Sequence, residues 1–306
     1  MATQTIIDGT VPFREHQTWY RTTGDLTDGG RIPLVTLHGG PGCTHDYLLR
    51  LTALADAGRG VVHYDQLGNG RSTHLRDAPP EFWTVDLFLE ELDNLLIALG
   101  IADRYAVLGH SWGGMLAAEH AVRRPAGLRG LVIADSPASM TLWSAAADQL
   151  RAELPPEVEQ KLRRHEEAGT TDSEEYEQAV RVFYDRHVVR VPWPAEVSAT
   201  FDALAADPTV YHTMNGPSEF HVIGSLGDWS IVDRVGAITV PTLLVNGRYD
   251  EATRECVQPF YDGIPDVRWE VFDRSSHMPH VEETERFNEV VGAFLADVDD
   301  HQKEGV

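Results

Sequence analysis

The sequence predicts an α/β protein: a mostly parallel, eight-stranded sheet with helices on both faces and a helical insertion late in the chain. Three observations predict it. Short apolar runs alternate with helical patterns over the first 135 residues. That rhythm stops for about 100 residues and then resumes at Val240-Pro241. Between the third and fourth central runs lies Gly109-His110-Ser111-Trp112-Gly113, a serine on a glycine-flanked turn from strand to helix.

The strand runs come in order. A loose alternation over residues 10–22 supplies two antiparallel edge strands. Pro33-Leu34-Val35-Thr36-Leu37 and Gly60-Val61-Val62-His63-Tyr64 follow, each closed by Gly or Asp. Then come Tyr105-Ala106-Val107-Leu108, Leu131-Val132-Ile133-Ala134, Thr242-Leu243-Leu244-Val245 and Val267-Arg268-Trp269-Glu270-Val271. Runs without a polar face suit parallel strands covered on both sides. Val85, Phe88, Leu89, Leu92, Leu96 and Leu99 recur at three- and four-residue steps, as do Phe287, Val290, Val291, Phe294 and Leu295. Both are helical periods.

From 140 to about 206 the chain is charged and lacks strand runs, with amphipathic helices expected over 150–168 and 173–187. The chain therefore divides into a core over 1–136 and 236–306 and a helical cap over 137–235. From Asp297 onward a polar, frayed tail is expected.

The 306 residues carry 25 basic and 48 acidic side chains, a formal charge of −23. This disfavours nucleic acid and anionic membranes as partners and is compatible with a cationic substrate. Most of these carboxylates are expected to be solvated surface, as at Glu90-Glu91 and Glu174-Glu175. Two cysteines make no disulfide framework in a chain this long. The opening Met-Ala-Thr-Gln-Thr-Ile-Ile-Asp has no basic start or long apolar run, and a cytoplasmic enzyme is the expectation.

The serine turn directs the chemistry. Ser111 on such a turn holds its hydroxyl above the sheet edge, and the helix after it aims amide N–H groups at any oxyanion formed nearby. Acyl transfer also needs a base, an acid to orient it, and oxyanion donors. His277, on a loop after the last strand run, is the base, and His280 is its nearest rival. Asp250, after Gly247-Arg248-Tyr249, is the acid. Asp135, at the end of the strand after the serine helix, is the alternative acid. The loop His38-Gly39-Gly40-Pro41-Gly42 lets main chain approach an oxyanion, so the amides of Gly40 and Trp112 are assigned as the donors. No metal-ligand spacing appears, and the chemistry requires no cofactor.

Other residues carry milder readings. Cys43 reads as a small packing residue, or else as a thiol whose modification blocks the site. Asp65 reads as a structural anchor. Trp143, Trp193 and Trp229 line a pocket or pack the cap on the core.

His38-Gly39-Gly40-Pro41-Gly42, Asp65-Gln66-Leu67-Gly68-Asn69-Gly70-Arg71-Ser72 and Gly109-His110-Ser111-Trp112-Gly113-Gly114 fall in order. With Met214-Asn215-Gly216-Pro217-Ser218-Glu219-Phe220 and Gly247-Arg248-Tyr249-Asp250-Glu251, they resemble the proline iminopeptidase family of α/β-hydrolases. The resemblance spans nearly the whole chain. It implies an α/β-hydrolase fold and cleavage of the amide bond after a free N-terminal residue, in a small amide or short peptide. It also implies that Glu219 and Glu251 bind the substrate's amino group. Leu67 stands where many iminopeptidases carry Arg, which leans the resemblance toward the tricorn-interacting aminopeptidase and L-amino-acid amide hydrolase branch. An esterase using the same three residues, or a non-catalytic ligand receptor on the same fold, is the alternative.

Overall fold

The computed structural model describes residues 4–27 and 30–304. Residues 1–3, 28–29 and 305–306, which include the start of the opening stretch and the end of the expected tail, lie outside the described residues. The sheet has eight strands: β1 (Ile6–Phe13), β2 (His16–Thr23), β3 (Leu34–Leu37), β4 (Val61–Asp65), β5 (Tyr105–His110), β6 (Leu128–Ala134), β7 (Thr242–Gly247) and β8 (Val267–Phe272). Their order is β1-β2-β4-β3-β5-β6-β7-β8. β1 and β2 form an antiparallel hairpin, and β2 pairs antiparallel with β4. Every other pairing is parallel.

Strand alternation sorts the core into two layers. Val35, Leu37, Val62, Tyr64, Val107, Leu131 and Ile133 face one side, against α1 (Val85–Ala98) and α2 (Trp112–Val122). Leu34, Val61, Ala106, Leu108, Val132 and Ala134 face the other, against the turns over Asp46–Ala57 and the C-terminal helix. β3, β4, β5 and β7 are buried at every position, as strands covered on both faces must be.

Between β6 and β7 the chain forms α3 (Met140–Ala152), α4 (Pro156–Ala168), α5 (Glu174–His187), α6 (Ala195–Ala206) and α7 (Thr209–Met214), and adds no strand to the sheet. The single helix expected over 150–168 is two helices. Pro155 and Pro156 break it, because proline lacks an N–H and drives the preceding residue out of helical geometry. After β7 come α8 (Arg254–Gly263), β8, the short α9 (Pro279–Glu282) and α10 (Thr284–Glu304).

The expectation of a frayed tail from Asp297 is corrected. Residues 297–304 continue α10. Val298 is buried, and Asp299 is buried in an ion pair with Arg59. Asp299 also accepts the amide of Ile32. A partner 240 positions away, which no local reading reveals, holds that turn down. Among the described residues no helix is long and apolar enough to cross a membrane.

The strand order places the site. The chain runs from β3 outward to β4 and then returns to the other side of β3 with β5. The loops leaving the carboxyl ends of β3 and β5 therefore diverge and leave a crevice between them. The loop after β3 is His38-Gly39-Gly40-Pro41-Gly42, and the turn after β5 carries Ser111.

Candidate active site

Ser111 has φ 56° and ψ −123°, a backbone state that L-residues rarely occupy. The glycines beside it make that turn possible. A Cβ on Gly109 would lie 2.0 Å from the carbonyl oxygen of Gly113, and one on Gly113 would lie 2.1 Å from that of Leu37. Strand, turn and helix are packed backbone to backbone, and the serine is held in place.

The glycine loop is fixed from behind. His38 Nε2 accepts the amide of Gln66 at 2.9 Å, so its Nδ1 carries the proton and donates to the Gly39 carbonyl at 3.0 Å. Burial pushes His38 down to about 4, which keeps that single neutral form. Gln66 Nε2 donates to the His38 carbonyl, and its Oε1 accepts Trp112 Nε1 at 2.8 Å. The loop and the start of α2 thus share one network. Among the described residues the amides of Gly40 and Trp112 have no hydrogen-bond acceptor, so both are open to a ligand.

His277 Nδ1 donates to Asp250 Oδ1 at 2.6 Å, and the same oxygen accepts the amide of Ala252 at 2.8 Å. The main chain of His277 is held on both sides: its amide donates to the His187 carbonyl, and its carbonyl accepts His110 Nε2 at 2.6 Å. The rival histidine is placed differently. His280 packs its ring against Tyr47, His110 and Phe287, and burial pushes it down to about 3. It holds no bond to either aspartate. The alternative acid, Asp135, is buried, accepts the Gly247 amide and does not bond His277.

Asp135, Asp250 and His277 offer ligand-type atoms within 4.8 Å of one another. The 2.6 Å between Nδ1 and Oδ1 is a shared-proton distance, shorter than two ligands of one ion allow at bonds of about 2.1 Å.

Glu219 and Glu251 come to the open side of His277. Glu251 Oε1 is 3.8 Å from His277 Nε2. Both carboxyl groups are buried, and neither Glu251 oxygen has a partner among the described residues. Burial raises Glu219, and burial followed by the charges of Glu219 and Asp250 raises Glu251 well above the usual range. Trp143 donates its Nε1 to the Glu219 carbonyl at 2.7 Å, and Tyr184 Oη accepts the Glu219 amide at 3.3 Å.

Residues 32–284 match the alpha/beta hydrolase fold family. A proline iminopeptidase of Thermoplasma volcanium is 36% identical over 94% of this chain and 96% of its own. A crystal structure of proline iminopeptidase from Mycobacterium smegmatis is 52% identical, with a TM-score of 0.90 over 97% of this chain and 100% of that chain. The chain belongs to the proline iminopeptidase family of α/β-hydrolases. A crystal structure of VinJ is also similar, at 59% identity and a TM-score of 0.94 over 95% of this chain and 99% of that one. As a family member the protein is a serine hydrolase of the aminopeptidase type.

The remaining residues sort by position. Cys43 is buried and burial pushes its thiol up to about 12, which fits a small packing residue. Asp65 accepts the amide and ring of His45 and the amide of Arg71, as an anchor does. Trp143 packs its ring 5.8 Å from that of His277. Trp193 packs at a tilt against Phe201 inside the helical segment, and Trp229 donates to Glu119 on the core. Sequence reasoning missed Tyr47, His110 and Tyr184 as site residues. His110 stands inside the serine motif, but nothing in its neighbours tells where its ring points.

Proposed function

We propose that the protein hydrolyses the amide bond following a free N-terminal amino acid, in a small amide or short peptide, through an acyl-enzyme on Ser111. The proposed chemistry gives each candidate group one role. Ser111 Oγ attacks the scissile carbonyl as His277 Nε2 takes its proton. Asp250 holds Nδ1–H and stabilises the imidazolium. The open amides of Gly40 and Trp112 receive the oxyanion. His277 then protonates the leaving amine. Water attacks the ester by the reverse sequence and releases the acid. Every step uses the chain's own groups and water.

Glu219 and Glu251 are assigned to the substrate's ammonium group. The observation that carries this reading is two buried carboxyl groups, of which Glu251 lies 3.8 Å from His277 Nε2 with no hydrogen-bond partner on either oxygen among the described residues. Burying two acids without a cation is costly, and a bound ammonium supplies the missing partner. An acetylated amine supplies no charge and leaves the carboxyls unpaired. The segment 137–235 acts as the cap that closes this pocket, since it contributes Glu219, Trp143 and Tyr184. The formal charge of −23 disfavours polyanionic partners, and a cytoplasmic location belongs to the same proposal. Leu67 leans this reading toward the tricorn-interacting and amidase branch and away from strict prolyl specificity.

The test is a panel of amino-acid arylamides and dipeptides with free and acetylated amines. Free amines are turned over, and acetylation removes most of the activity. Ser111→Ala lowers turnover by about 10⁴-fold or more. Equal rates on free and acetylated substrates would shift the reading to a general esterase.

A further inference from the structure

Asp135 follows β6 with φ 53°, and it is buried in one cluster with Asp250 and His277, whose ligand-type atoms all lie within 4.8 Å of one another. Its amide donates to the Val245 carbonyl at 2.7 Å, and its Oδ1 accepts the Gly247 amide at 3.2 Å. Its Oδ2 is buried with no partner among the described residues. Asp250 has the same defect. Its Oδ1 takes two donors, and its Oδ2 is buried with none. Two buried acceptors in one cluster lack a donor among the described residues.

The titratable groups that face Asp135 offer no remedy. They are Asp250 on the loop after β7, His110 at the end of β5, Tyr47 after β3, whose hydroxyl is committed to His110 Nδ1, His277 after β8 and Glu282 on α9. His110 Nε2 is 3.9 Å from Asp135 Oδ2, but its proton is committed to the His277 carbonyl. Among the described residues no Lys or Arg pairs with either aspartate.

One proton between the two Oδ2 atoms satisfies both, and the donor inventory says which residue holds it. The His277 ring and the Ala252 amide both favour a carboxylate at Asp250. Asp135 receives only the longer bond from Gly247. We infer that Asp135 is a neutral carboxylic acid that donates its proton to Oδ2 of Asp250, making it a positioning residue behind the acid that orients His277. Burial first, and the charge of Asp250 second, push Asp135 well above the usual carboxylate range. The bond fixes the Asp250 carboxylate about its Cβ–Cγ axis, so Oδ1 stays aimed at Nδ1. It also draws charge from Asp250 and so moderates the basicity that His277 feels.

The inference rests on the proposed roles of Ser111, Asp250 and His277, and the experiment separates the two. The full chain is prepared as Asp135→Asn, Asp135→Ala and Asp250→Asn. kcat and KM for an amino-acid arylamide are measured from pH 5 to 10, with circular dichroism as a fold check. In Asp135→Asn the side-chain amide donates to Asp250 Oδ2 and its oxygen accepts the Gly247 amide, so kcat stays within about threefold of the parent. In Asp135→Ala the donor is gone. There kcat falls by about 10- to 100-fold with KM little changed, and the acid limb of kcat/KM moves to higher pH.

Infrared difference spectra between the parent chain and Asp135→Asn show a protonated carboxyl C=O band. That reading holds even if the alanine variant does not fold. Absence of the band, an asparagine variant as impaired as alanine, or an alanine variant with the parent profile each overturns the inference. If Asp135→Asn abolishes turnover while Asp250→Asn keeps it, the triad assignment fails instead, and Asp135 is the acid.

Discussion

His110 donates its Nε2–H to the carbonyl oxygen of His277 across 2.6 Å, so the residue before Ser111 holds the loop of the proposed base. The other end of the same ring continues the chain of bonds. Nδ1 is left as an acceptor, since burial holds His110 far below its ordinary value and the ring stays neutral. Tyr47 donates its hydroxyl to that Nδ1 at 2.9 Å, and Tyr47 Oη accepts the Gly39 amide at 2.7 Å. One line of hydrogen bonds therefore ties the glycine loop, the serine turn and the base loop together.

Tyr47→Phe removes the middle of that line and little volume. It leaves the Gly39 amide and His110 Nδ1 buried without partners. The expected cost is about 1–3 kcal/mol, falling mainly on kcat as a loss of about 10- to 100-fold. Steady-state kinetics on an arylamide check it. Unchanged kcat in a folded variant would show that the line carries no positional information.

Glu219→Gln tests the ammonium assignment. The variant keeps the size of the side chain and removes its charge. kcat/KM for free amino-acid amides is expected to fall by about 10²-fold, roughly 2–3 kcal/mol for a lost charge-assisted contact. A neutral ester without an amine should be far less affected. A silent substitution on both substrates would place Glu219 outside the binding machinery.

Glu91 gives a pH signature in stability. It is buried on α1, accepts the Thr18 hydroxyl, and takes the Leu67 amide at 3.0 Å on both oxygens. Burial raises it from 4.5 to about 7. The folded value lies above the unfolded one, so the native state binds the proton more tightly. Its contribution is fully present below the unfolded value and is lost as pH rises through about 7. The full swing is on the order of 3 kcal/mol. Glu91→Gln cannot titrate, so its unfolding free energy relative to the parent should climb between pH 5 and 8. Urea unfolding at several pH values measures it, and a constant difference would rule the account out.

Asp299→Ala tests the anchor of the last helix. It strands Arg59 in a buried place and leaves the Ile32 amide without its acceptor. The expected loss is about 3–5 kcal/mol, read as a lower urea midpoint. The double change Arg59→Met with Asp299→Leu should cost less, since it removes both charges. A single variant within about 0.5 kcal/mol of the parent would mean that the pair is dispensable.

Much was legible from order along the chain. Apolar runs alternating with helical periods determined the α/β class, because a strand covered on both faces must be apolar throughout. Gly109-His110-Ser111-Trp112-Gly113 marked the serine turn, because only glycine tolerates the approach of Gly113 and Leu37 carbonyls at about 2 Å. His277 and Asp250 stood out as the candidate base and acid because they lie on loops after strands. Five ordered motifs pointed to the family.

What tertiary structure decided is which atoms meet. The β4-β3-β5 order brings the loops after β3 and β5 to one crevice, and no local pattern encodes strand order. The choice between Asp250 and Asp135 depends on which carboxyl reaches Nδ1 across 2.6 Å, and both stand at strand ends. The expected tail is instead a helix end anchored at the buried Val298 and Asp299, because Arg59 pairs with Asp299 from 240 residues away. Local sequence sets the period of burial and the turns the backbone can make. Distance and charge pairing between remote residues exist only once the chain is folded.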